Sequence, residues 1–205
     1  MRHALVSLCV AFVAITVVSC AGTPRAPMLG EEFVVERSRD REPSWIEAPT
    51  EERGGKIFFN GAATKKTRLE DANTDARMDA VHKVVEHMVD TGLIDYTRAQ
   101  FEAGIDDSEA ALYIEDGTGF LVRSISDGTS EEEIYHERKR EWTGSDWKYT
   151  HDVYVLISIP SDSLNGMADQ AFRQQADQAR ANNNARAEAF ANRLREQLTE
   201  DRTAQ

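Results

Sequence analysis

The chain has 205 residues, with 24 lysines and arginines against 36 aspartates and glutamates, for a formal net charge of −12. That acidity argues against nucleic-acid binding and against electrostatic docking on anionic lipid. The only two cysteines, Cys9 and Cys20, both lie near the start, so disulfide, iron–sulfur and thiol-nucleophile chemistry are excluded from everything after them.

Met1, Arg2 and His3 make a short, mildly basic opening, and Ala4 to Val18 is apolar apart from Ser7 and Thr16. Roughly fifteen apolar residues fall short of the about twenty that a bilayer core needs, and the length fits the h-region of a signal peptide. The boundary Val17-Val18-Ser19-Cys20 resembles the bacterial lipobox. That resemblance implies a diacylglycerol thioether on Cys20, cleavage just before it and acylation of the new amine. Ala21, in place of aspartate, implies transfer to the outer membrane, with the domain facing the periplasm. Two or three acyl chains anchor a protein firmly where one holds it only marginally. The alternative is an ordinary secretory leader cut after Ser19 or Ala21. Residues 1–19 therefore read as a lipoprotein signal peptide. Loss of Arg2 with the leader makes the remainder one charge more negative.

Residues 20–42 read as an acylated N-terminus and a flexible tether, with Phe33, Val34 and Val35 as a candidate edge strand. A flexible chain of that length spans about 25 Å root-mean-square. A domain over 43–160 opens with Pro43-Ser44-Trp45-Ile46. Lys56 to Thr64 reads as a strand ending in Gly61-Ala62-Ala63. Thr67 to Glu70, "TRLE", is a capping-box pattern. Behind it, Leu69, Ala72, Ala76, Ala80, Val84 and Met88 recur at helical spacing, widened by Val81, Val85 and Val89. Gly92 suits a left-handed helix end.

Residues 93–130 are ambiguous between helix and strand, because glycines 104, 117, 119 and 128 interrupt them. Two alternating strands follow. Ile134, His136, Arg138, Arg140 and Trp142 share one face of the first. Tyr135, Glu137, Lys139 and Glu141 share the other. In the second, Trp147, Tyr149, His151, Val153, Val155, Ile157 and Ile159 lie on one face. Thr143 to Asp146 is a hairpin turn between them. Residues 161–205 predict one long helix rich in Ala, Gln, Asn and Arg with a frayed end. It is interrupted at Asn182-Asn183-Asn184 and has few large apolar residues with which to form a core. The whole predicts an α+β fold: a small, mostly antiparallel sheet packed against one amphipathic helix, with a long C-terminal helix.

This order of features resembles the LPP20-type small outer-membrane lipoprotein family. The resemblance rests on Pro43-Ser44-Trp45-Ile46, the strand Phe58 to Ala63, the alanine-spaced positions Leu69, Ala72 and Ala76, and the closing strand Val153-Tyr154-Val155-Leu156-Ile157-Ser158-Ile159. It covers residues 43 to 160. It implies a non-enzymatic envelope lipoprotein with a structural or protein-interaction role. A flagellar association enters through the resemblance alone. No catalytic residue carries over.

The residues themselves nominate little chemistry. His82 and His87 stand about 140° apart around a helix and do not chelate together. His136 and His151 are possible hairpin neighbours, short of the four ligands of a structural zinc site. Gly117-Thr118-Gly119 lacks the rest of a phosphate loop, and the acidic pairs lack the spacing of a calcium loop. No serine stands on a nucleophile elbow. No cofactor, metal or catalytic group is expected. The remaining candidate is the aromatic hairpin, with Tyr135, Trp142, Trp147 and Tyr149 as a partner-binding face. Its simpler account is cross-strand packing, which aromatic residues favour in any sheet. The expected partners are the membrane, through acyl chains on Cys20, and an envelope protein. A ligand- or peptidoglycan-binding module is the alternative.

Overall fold

The computed structural model of the chain describes residues 25–48 and 50–204. The leader and Cys20 lie outside the described residues. The fold is α+β, as the alternation and helical spacing predict. Among the described residues five strands form one antiparallel sheet in the order β1-β4-β5-β3-β2. They are β1 (Glu32–Arg37), β2 (Glu51–Arg53), β3 (Lys56–Lys66), β4 (Ser130–Trp142) and β5 (Trp147–Pro160). Five α-helices accompany them among the described residues: α1 (Leu69–Asp90), α2 (Tyr96–Ala103), α3 (Asp107–Gly128), α4 (Leu164–Ala181) and α5 (Ala185–Ala204). Among the described residues no helix is long and apolar enough to cross a membrane.

The alternating pattern assigns the two faces of the sheet. Ile57, Phe59, Gly61 and Ala63 of β3 point to one side with Val153, Val155, Ile157 and Ile159 of β5, and all are buried. Helix α1 covers this side. It approaches closely because its buried stripe, Ala72, Ala76 and Ala80, is made of methyl groups and sits over Gly61. Helix α3 packs on α1, α4 on α3, α5 on α4 and α2 on α5, so one apolar core runs through the helical layer.

Several features differ from expectation, each for a local reason. The candidate edge strand at Phe33, Val34 and Val35 does form, as β1 beside β4, so the stretch read as tether shortens to end before Glu32. The capping box does not form. Helix α1 starts one residue late, Arg68 is its cap without a side-chain bond, and Glu70 takes the Arg68 guanidinium at 2.7 Å instead. Residues 107–128 are a single helix despite their glycines. Asp106 Oδ1 accepts from the Ser108 and Glu109 amides, and the buried row Ala110, Tyr113, Gly117, Leu121 and Ile125 holds helical spacing. Gly117 belongs to that row because Gln175 of α4 passes against it.

The C-terminal segment is two helices rather than one. Asn183 adopts φ 56°, and the Asn184 side chain accepts from the Ala187 amide to start α5. The segment belongs to the core and does not project from it. Phe172, Phe190, Leu194 and Leu198 are fully buried, and Ala168, Ala171, Ala176, Ala179, Ala187 and Ala191 let the helices approach closely.

Candidate functional site

Strand alternation splits the aromatic hairpin between two opposite surfaces. Trp142, Trp147 and Tyr149 share the helix-side face, beyond the part that α1 covers. Tyr135 is on the other face and fully buried. The four residues therefore do not form one surface.

On the helix side the three aromatic rings form a ladder with cations between them. The Arg138 guanidinium lies 4.6 Å above the Tyr149 ring, and that of Arg140 lies 4.3 Å above Trp147 and 5.7 Å from Phe33 of β1. Trp142 and Trp147 face each other across the non-covered end at 5.1 Å, and Phe33 meets Trp147 edge-on at 5.7 Å. The register places Arg140 opposite Tyr149 and Phe33 opposite Arg140, which produces this stacking. Among the described residues neither guanidinium forms an ion pair, and the buried Arg140 Nε has no hydrogen-bond partner. A cation over an aromatic face is stabilised while its edge remains free to donate.

The opposite face holds a polar network that joins four strands. The Tyr135 hydroxyl donates to Glu137 Oε1 at 2.8 Å, and Arg37 Nε donates to the same oxygen at 3.0 Å. Lys139 Nζ bonds Asp152 Oδ2 at 2.6 Å, and Asp152 Oδ1 accepts from the Lys65 amide at 2.7 Å. Glu137 and Asp152 are buried, and each is compensated by a cation, as buried carboxylates require. Burial, then the hydrogen bond to Glu137 and its charge, push the Tyr135 hydroxyl pKa up to about 12. The network is structural: every member is occupied by its neighbour.

Farther along that face is a groove of about 230 Å³, floored by Phe58 and Leu156 and walled by Trp45, Arg53 and Glu133. Asn60 builds its rim. Its amide donates to the carbonyl oxygens of Trp45, Ile46 and Ala48, at 3.0, 2.9 and 3.0 Å, and so folds the Ser44–Ile46 turn onto the sheet. Trp45 Nε1 then reaches Glu133 Oε2 at 3.1 Å, which also takes Arg39 at 2.6 Å.

His136 pairs in register with Val153 and His151 with Arg138, so the two histidines are diagonal rather than facing. Among the described residues no group of three or more His, Cys, Asp or Glu side chains could hold a metal ion. Sequence reasoning placed Arg138, Arg140 and Trp142 on one strand face but overlooked Phe33 and the two arginines as site residues. The two-residue period was the available signal, and it also separates Tyr135 from Trp142. Asn60 carried no signal, since its partners lie in a turn that no local pattern specifies. Comparison of the chain with protein-family models, curated proteins and solved structures yields no match.

Proposed function

We propose that this chain is a non-enzymatic lipoprotein of the bacterial envelope, anchored through acyl groups on Cys20 and serving a structural, protein-contact role. The observation that carries the reading is the junction Val17-Val18-Ser19-Cys20 standing a short distance ahead of a closed α+β body whose N-terminal strand is part of the sheet. The absence of a free thiol beyond Cys20 and the net charge of −12 favour attachment by lipid over attachment by charge. The polar side chains of the sheet support a non-catalytic role. Glu137, Lys139, Asp152, Asn60 and Glu133 are all committed to neighbours that hold strands and turns together.

The groove beside Trp45 is the surface offered to an envelope protein. Its volume falls below the roughly 300–1,000 Å³ usual for small-ligand pockets, which favours a protein contact over a soluble ligand. Assignment to the LPP20-type lipoproteins, their outer-membrane location and their flagellar link belong to the same proposal.

The test begins with Cys20→Ala. It is expected to move the protein from the membrane fraction to the soluble periplasm and to abolish incorporation of labelled palmitate. A mature native chain that is soluble and keeps a titratable thiol at residue 20 would overturn the anchor. Crosslinking in intact cells is expected to capture one stoichiometric envelope protein through residues around Trp45. Recovery of peptidoglycan fragments alone would reject the protein-contact role. Unchanged swimming in a deletion strain would remove the flagellar part.

A further inference from the structure

We infer that the tip of the β4–β5 hairpin, together with the chain entering β1, is a membrane-docking surface that seats the domain on the phospholipid layer holding its own anchor. The inference rests on acylation at Cys20 and adds an orientation to it.

The first support is where the chain enters the fold. The Gly30 amide donates to the Trp142 carbonyl at 2.9 Å, and the Trp142 amide donates to the Glu31 carbonyl at 3.1 Å. A β-carbon on Gly144, in the hairpin turn, would touch Leu29 Cδ1 at 3.5 Å. The chain from Cys20 therefore arrives at the hairpin tip. Nine residue steps separate Cys20 from Leu29, which span at most about 30 Å. Strand β5 has 14 residues, so the far end of the sheet is about 45 Å from the tip. The tip is the part of the sheet that the leash keeps beside the bilayer.

The second support is the chemistry found there. Met28 is 58% exposed and Leu29 78%, and Phe33 and Tyr149 also stand in solvent. Half-buried Trp142 and Trp147 lie between them. Aromatic rings with one apolar and one polar side gather at membrane interfaces. Arg138 and Arg140 stack on these rings with no ion-pair partner among the described residues, so their free edges suit lipid phosphate oxygens. The net charge of −12 opposes long-range attraction to anionic lipid, so the surface that fits is zwitterionic phospholipid, engaged at short range. Docking of this kind needs little intrinsic affinity, because a short leash holds the tip at an effective concentration of roughly millimolar.

The experiment uses the chain from residue 20 onward, with an N-terminal hexahistidine in place of the acyl groups, held on nickel-chelating lipid in phosphatidylcholine vesicles. Trp45→Phe leaves Trp142 and Trp147 as the only tryptophans, excited selectively over tyrosine. Anchoring is expected to shift their emission to the blue and to allow quenching by brominated acyl chains. Replacing Leu29 and Phe33 together by aspartate is expected to weaken docking at least about tenfold, the loss of two buried apolar groups, with far-ultraviolet dichroism unchanged. Arg138→Gln with Arg140→Gln gives an independent arm, expected to reduce quenching while leaving the apolar residues in place. Unchanged emission and no quenching on anchoring would overturn the proposal. So would crosslinks in cells that place a protein partner on Leu29, Phe33 and Trp147. Because this anchor is artificial, a negative result here is separate from failure to find lipid on Cys20 by mass spectrometry, which would sink the lipoprotein reading instead.

Discussion

A β-carbon placed on Gly61 would lie 2.0 Å from the carbonyl oxygen of Ala76 and 2.4 Å from the Ala80 amide nitrogen. Strand β3 and helix α1 meet here backbone to backbone, and neither can yield without separating the layers. Gly61→Ala is expected to cost about 3 kcal/mol or more, at the upper end for overpacking. Gly119→Ala is the control: in α3, exposed, with nothing within 4 Å of an added β-carbon. It is expected to stabilise by about 0.5–1 kcal/mol through helix propensity. Denaturant midpoints of the two variants should move in opposite directions. Equal midpoints would refute the close contact.

Asn60 holds the Trp45 turn through three carbonyl oxygens, while Lys83 Nζ bonds the Asn60 backbone oxygen at 2.9 Å. Asn60→Asp removes the donor and points a carboxylate at those carbonyls. The expected cost is about 2–3 kcal/mol, with the turn released from the sheet. In a chain with Trp142→Phe and Trp147→Phe, Trp45 emission should shift to the red and become more open to acrylamide. Unaltered quenching would show that the turn is held by other contacts.

Tyr135 is fully buried and its ionisation is pushed up to about 12, by burial first and then by the bond and charge of Glu137. The unfolded chain releases this proton near pH 10, whereas the folded chain keeps it to about 12. Stability from this group is therefore complete below pH 10 and falls as pH rises through 12, where the unfolded state binds fewer protons. Tyr135→Phe is expected to cost about 1–2 kcal/mol at pH 8, by stripping Glu137 of one donor, and to flatten the alkaline decline. Melting temperatures between pH 8 and 12 measure both effects. An equally steep decline in the variant would assign it to other groups.

Strands were the most legible part of the sequence, because a two-residue period leaves no freedom once one face is buried. Val153, Val155, Ile157 and Ile159 announced their side, and so did Arg138, Arg140 and Trp142. Grouping Tyr135 with Trp142 by residue type ignored that period, and the sheet places them on opposite surfaces. Helix α1 was visible through its alanine stripe. Helix α3 was hidden because Gly117 reads locally as a breaker, while its role is to admit Gln175 of α4. Helices α4 and α5 were underrated as core for a related reason. Alanines bury little area each, but they allow the axes to approach, and only the assembled layer shows that Phe172 and Phe190 have partners. The Trp45 groove was illegible because Asn60 and the turn it holds come together through tertiary contact alone.

The way β1 is mounted has a mechanical consequence. Under the proposed anchor at Cys20, a pull between the domain and the lipid would pass the Met28–Glu31 turn and then load the bonds joining Gly30 and Glu31 to Trp142. All six residues of β1 are solvent-exposed, and among the described residues it pairs only with β4. Under load it can peel away rung by rung while the helical layer keeps its packing. Each released residue adds about 3.5 Å of chain, so under the proposed anchoring this outermost strand would serve as spare rope between a dragged membrane and an intact globule.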